Sequence, residues 1–137
     1  MGKIIVTLNL TNHGDLVLRD RKLSTRKPRQ VKAESLVDRG VTRLYLKRSV
    51  IRSIGLRRSG TVMSRPTNGV RKRNVYEPVR LDLMGRHGVF EVVDVDDNVP
   101  NLLGQVPLEY LDFVDDPKRQ KLVPNPDHGN KQMSEEY

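Results

Sequence analysis

The chain has no cysteine and no tryptophan, only two phenylalanines and four tyrosines, and no apolar run near the roughly 20 residues of a membrane span. Each absence removes a class of chemistry. Without cysteine there is no thiol nucleophile, no cysteine-zinc or iron-sulfur site and no disulfide framework. With aromatics at 4% of residues, stacking platforms for single-stranded nucleic acid are scarce. The N-terminal Met1-Gly2-Lys3-Ile4 lacks the apolar stretch of a signal peptide, so a cytoplasmic address away from membranes is expected. The phosphate-cradling patterns GxGxxG and GxxxxGK[ST] and the G-x-S-x-G nucleophile elbow do not occur either.

What the chain has in quantity is charge. Its 137 residues carry 25 Lys and Arg against 17 Asp and Glu, a net +8. This length suits one domain, and such a domain should bury about two-thirds of its unfolded surface, enough for a core without metal or disulfide staples. The charge is lopsided. Residues 1–73 hold 19 basic and 4 acidic side chains, while residues 74–137 hold 6 and 13. The runs Arg26-Lys27, Arg57-Arg58 and Arg71-Lys72-Arg73 read either as solvated loops or as a basic face for nucleic acid.

Period-two alternation at Ile4, Val6, Leu8 and Leu10 predicts an opening strand, and Leu16-Val17-Leu18 its hairpin return after the turn residues Thr11 to Asp15. Arg19 to Lys32 reads as an exposed loop. Strands are expected at Ala33–Val37, Val41–Leu46, Thr61–Met63, Val75–Glu77, Val79–Leu83 and Val89–Val95, with a turn at Gly85–Gly88. Ser49–Ile54 with Gly55 behind it, and Pro107–Leu111, read as short helices. Phe113-Val114 and Leu122-Val123 predict small terminal strands, and Asn125–Tyr137 a loose polar tail. Asn68-Gly69 is a strong hairpin signal, because both residues tolerate positive φ. The sum is an all-β domain, barrel or sandwich, with short helices.

Few residues suggest chemistry. His13, His87 and His128 are far apart without ligand spacing and read as surface side chains; no metal site is expected. The acidic runs Asp94-Val95-Asp96-Asp97 and Asp115-Asp116 lack calcium-loop spacing and read as solvated turns. Asp38 differs. It ends the apolar Leu36-Val37 at a glycine-containing turn, where it is either a turn aspartate capping its own backbone or a carboxylate held at a strand end for a purpose.

Asp38 is followed in order by Gly40-Val41-Thr42, Leu44-Tyr45-Leu46, Val50–Leu56, the Asn68-Gly69 hairpin, Leu102-Leu103-Gly104 and Leu108-Glu109. That ordered set resembles the retroviral-type (retropepsin-like) aspartic protease family, and more closely its small prokaryotic aspartyl-protease-like members. The resemblance implies a retropepsin-like acid-protease barrel over residues 1–126 with residues 127–137 as a polar tail. It implies Asp38 as the catalytic aspartate in a loop of Arg39, Gly40, Val41 and Thr42, with Thr67, Asn68 and Gly69 as the flap. Leu102, Leu103 and Gly104 match the apolar-apolar-Gly element under the active-site loop. With one Asp-x-Gly behind an apolar pair in the chain, the resemblance implies that the second carboxylate comes from a second copy, hence a homodimer acting on an extended peptide, with no cofactor.

Four positions depart from the family pattern. Arg39 stands where the family has a threonine whose hydroxyl reaches across the dyad; Val41 replaces Ala or Ser, Lys47 a frequent Pro and Gln105 a frequent Arg. A guanidinium beside Asp38 is expected to favour its ionised form, against a mechanism that keeps one proton in the pair. Two functions of different class therefore stand: a homodimeric aspartic endopeptidase, and a non-catalytic module binding a peptide or protein in the same cleft. The scarcity of aromatics argues against nucleic acid as the partner.

Overall fold

Alternation in the first strand places Leu8 and Leu10 wholly inside while Ile5 and Thr7 face out, and the same device recurs through the sheet. In a computed structural model, which describes residues 3–64, 69–129 and 131–133, the strands are β1 (Ile5–Asn12), β2 (Gln30–Val37), β3 (Leu44–Lys47), β4 (Arg58–Ser64), β5 (Arg71–Leu83), β6 (Arg86–Val95), β7 (Asn101–Leu103), β8 (Phe113–Asp116) and β9 (Lys121–Pro124). Helices α1 (His13–Asp20), α2 (Arg48–Ser53) and α3 (Gln105–Leu111) are short. Among the described residues no helix is long and apolar enough to cross a membrane.

Six strands close on themselves in the order β1-β2-β7-β3-β6-β5, with β5 returning to β1 through Asn9–Asn12 against Val79–Asp82. Pairs β2–β7 and β3–β6 are parallel and the other four contacts antiparallel. β4 hangs on the outside of β5, and β8 and β9 form a separate ribbon. Leu8, Leu10, Leu44, Leu46, Leu81, Val92 and Leu103, each at most 1% exposed, fill the barrel. Burial of one such side chain is worth about 1.5–3 kcal/mol.

The structure corrects several local readings. Leu16-Val17-Leu18 lies in α1 rather than in a strand: Asn12 Oδ1 accepts the Asp15 N–H and starts the helix, and β1 takes β2 as its antiparallel partner instead. The turn between β5 and β6 is Met84-Gly85, both at positive φ, so β6 already begins at Arg86. Helix α2 does stop at a left-handed Gly55, with φ +64°. The tail from Asn125 is tied down over its described part. Asn125 Nδ2, the Met133 N–H and the His128 ring all reach the buried Asp112 carboxylate. His128 is thus nearly buried, 11% exposed, rather than a surface histidine.

Candidate active site

The site grows from the end of β2. Pairing with β7 sets Leu36 beside Leu102 and Val37 beside Leu103, and the ladder runs one residue further, the Asp38 N–H donating to Leu103 O at 3.0 Å. The chain then turns sharply: Asp38 Oδ1 accepts the Gly40 N–H at 2.9 Å. Residues 41–43, expected to extend β3, lie before it and spend their backbone groups on the start of α3. Gly104, Gln105 and Val106 donate to the carbonyls of Arg43, Val41 and Thr42 at 2.8–2.9 Å. A β-carbon on Gly104 would sit 2.3 Å from Arg43 O and 2.7 Å from Val41 O, so only glycine allows the two segments this close. The structure thus brings Asp38, Gly40, Val41 and Thr42 together with Leu102, Leu103 and Gly104.

Arg39 does not turn toward Asp38. Its Nε donates to Asp115 Oδ1 at 3.1 Å, its Nη1 to Gln105 Oε1 at 3.1 Å and its Nη2 to the Phe113 carbonyl at 2.9 Å. The guanidinium is thereby committed to α3 and β8. Gln105, in the position of a frequent arginine, supplies one of the acceptors. Asp115 is correspondingly a strand residue in an ion pair, not a turn.

Asp38 shares a face with a row that crosses the sheet. Register aligns Leu36 with Leu102, Leu102 with Tyr45, Tyr45 with Val93 and Val93 with Val75 on the other strand face; the first three are half-buried, whereas Val93 and Val75 are 1% and 6% exposed. The neighbours Leu103, Leu44 and Val92 point inward. Asp38, two positions beyond Leu36 and half-buried, is in step with this row.

The β4–β5 hairpin rises from the same sheet. Its pairing runs from Arg58 opposite Tyr76 to Ser64 opposite Arg71. Thr67 and Asn68 lie outside the described residues; Gly69 has φ +111°.

One carboxylate escaped the sequence reading. Asp94, read as part of a solvated turn, is an inward residue of β6 and 1% exposed. It accepts from Arg48 Nε at 3.2 Å, from the Asn74 N–H and Nδ2 at 3.3 and 3.2 Å, and from Tyr76 Oη at 3.4 Å. Arg48 also binds Asp96 at 2.6 Å, and Asp97 Oδ1 accepts the Ser49 N–H. The base of the hairpin is thereby fastened to α2. Its signal in the sequence was parity: Asp94 falls on the Phe90 and Val92 face.

No group of three or more His, Cys, Asp or Glu that could hold a metal occurs among the described residues. No family model and no curated protein matches the chain. Among solved structures it is similar to the EIAV protease complexed with the inhibitor HBY-793, with a TM-score of 0.50 and 19% identity over 56% of this chain and 74% of that one. The closed six-stranded barrel is therefore a retropepsin-like fold.

Proposed function

We propose that the chain is one subunit of a homodimeric aspartic endopeptidase in which two Asp38 carboxylates, one from each copy, share a proton around a water. The observation that carries this reading is the commitment of Arg39 to Gln105, Phe113 and Asp115. It leaves Asp38 at the end of an apolar row, in a loop braced by backbone bonds to residues 103–106. Two carboxyls held close repel, so one keeps its proton at acidic pH. The ionised one takes a proton from water as its oxygen attacks the peptide carbonyl carbon, while the other gives its proton to the carbonyl oxygen. Collapse of the tetrahedral diol breaks the C–N bond: the first carboxyl protonates the departing nitrogen, and the second takes back a proton from a diol hydroxyl, which restores the pair. The hairpin would close over an extended peptide and exclude water.

The test is cleavage of an extended peptide at acidic pH. Asp38→Asn should abolish it, and activity surviving that change would remove Asp38 as catalyst. Arg39 favours a second reading, a peptide-binding module on the same fold. Held within its own subunit, it offers no hydroxyl across a dyad. Sedimentation separates the two: a strict monomer at high concentration cannot pair two Asp38 residues, and peptide binding by that monomer would select the module.

A further inference from the structure

The basic excess is unevenly satisfied. Arg29 pairs with Asp15, Arg48 with Asp94 and Asp96, Arg80 with Asp82 and Arg39 with Asp115. On the hairpin, Arg57, Arg58, Arg71, Lys72 and Arg73 make no ion pair or side-chain hydrogen bond with any described residue. Glu77 is the only acid between Arg57 and Arg80 in the sequence. Concentrated unpaired charge of one sign repels itself and is relieved by a ligand of opposite sign.

Strand parity says where that charge is aimed. Val75 belongs to the row beside Asp38, and β5 pairs with β4 without interruption from Ser64–Arg71 to Gly60–Val75. Arg73 and Arg71, two and four residues from Val75, therefore lie on the same face as the row, about 7 and 13 Å along the strand. Lys72 lies on the other face. The face beside Asp38 is thus apolar at the half-buried Leu36, Leu102 and Tyr45, closed at the buried Val93 and Val75, and cationic up the hairpin. A nucleic acid would want exposed rings there, but Tyr76, the hairpin's one described aromatic, faces inward and reaches Asp94.

We propose that this face selects extended peptides with an apolar centre and acidic side chains two to four residues away, which Arg73 and Arg71 meet. The inference rests on reading the face beside Asp38 as the peptide cleft. It names the ligand class and does not require turnover.

Fluorescence anisotropy on the full chain carrying Asp38→Asn tests it, using peptides of about ten residues with one apolar centre flanked by Glu, Gln or Lys. The Glu peptide should bind about tenfold more tightly than the Gln peptide at low salt, and the gap should close as salt rises past about 0.3 M. Arg71→Gln with Arg73→Gln should reduce the gap to under about threefold. Neither side chain has an ion-pair or side-chain hydrogen-bond partner among the described residues, and an unchanged thermal melt would confirm that the doubly substituted chain is folded. Equal binding of Glu and Gln peptides, binding of none, or tighter binding of a single-stranded oligonucleotide of equal charge would each overturn the inference. A Glu preference in a protein that cleaves nothing would end the endopeptidase reading and leave this one standing. Cleavage without regard to flanking charge would do the reverse.

Discussion

Arg39 and Asp115, 76 residues apart in sequence, meet through Nε and Oδ1 at 3.1 Å and so fasten the Asp38 loop to β8. Both side chains are about one-third exposed, so the ion pair itself is worth no more than about 1 kcal/mol. The bond to the Phe113 carbonyl adds to it. Arg39→Ala should lower the unfolding free energy in urea by about 1–2 kcal/mol, and a double-mutant cycle with Asp115→Ala should show a coupling of about 0.5–1 kcal/mol. Zero coupling would mean that the contact does not operate in solution.

Gly104 permits no substitute. The three atoms nearest to an added β-carbon are all backbone, at 2.3–2.8 Å, and none can swing aside. Gly104→Ala should cost about 3 kcal/mol or more. Its mark would be lost amide protection at Gly104, Gln105 and Val106, whose hydrogens bond the loop after Asp38.

Asp94 gathers four donor groups in a nearly dry place. Asp94→Ala strands Asn74, Tyr76 and Arg48, and with Arg48 half-exposed the cost should be about 2–4 kcal/mol. Because Asn74 and Tyr76 stand at the base of the hairpin, hydrogen exchange should rise first in β4 and in the first half of β5. A loss spread evenly over the barrel would contradict this role.

Acid should weaken the fold through a few carboxylates. Burial pushes the Asp112 carboxyl up, but the His128 ring, the Met133 N–H and Asn125 outweigh it and hold it below the ordinary range. Hydrogen bonds from Arg29 do the same for Asp15. Such groups bind fewer protons folded than unfolded. Their contribution is therefore complete above the unfolded value near 3.9 and is lost as pH falls through the lower folded one. Stability should be level above about pH 5 and decline below about pH 4, and Asp112→Asn should flatten part of that decline. Loss of the Met133 amide protection in the same range would locate the release of the C-terminal segment. A decline centred near pH 6 would point to histidine instead.

Strands governed by alternation, such as Ile5–Asn12 and Val79–Leu83, could be read from the sequence because one face of each is core. The order of the elements around Asp38 was legible for the same reason, since apolar pairs before a glycine mark strand ends. Helix α1 was hidden: Leu16-Val17-Leu18 has strand composition, and what makes it helical is the Asn12 cap and the tie from Asp15 to Arg29. The direction of Arg39 was illegible in principle, because its partners at Gln105, Phe113 and Asp115 leave no trace in the local pattern. The same holds for His128, whose partner Asp112 stands 16 residues earlier in a left-handed conformation.

The parallel pairing of β2 with β7 has a consequence in time. During synthesis the Asp38 loop leaves the ribosome long before Leu103, whose carbonyl receives the Asp38 N–H, and Gly104, on which residues 41–43 close. Contacts of such separation form late and make folding slow. A growing or truncated chain that stops short of β7 would carry the carboxylate without the frame that aims it. On the proposed reading, any hydrolytic power of two paired copies would thus be withheld until β7 and Gly104 have been made.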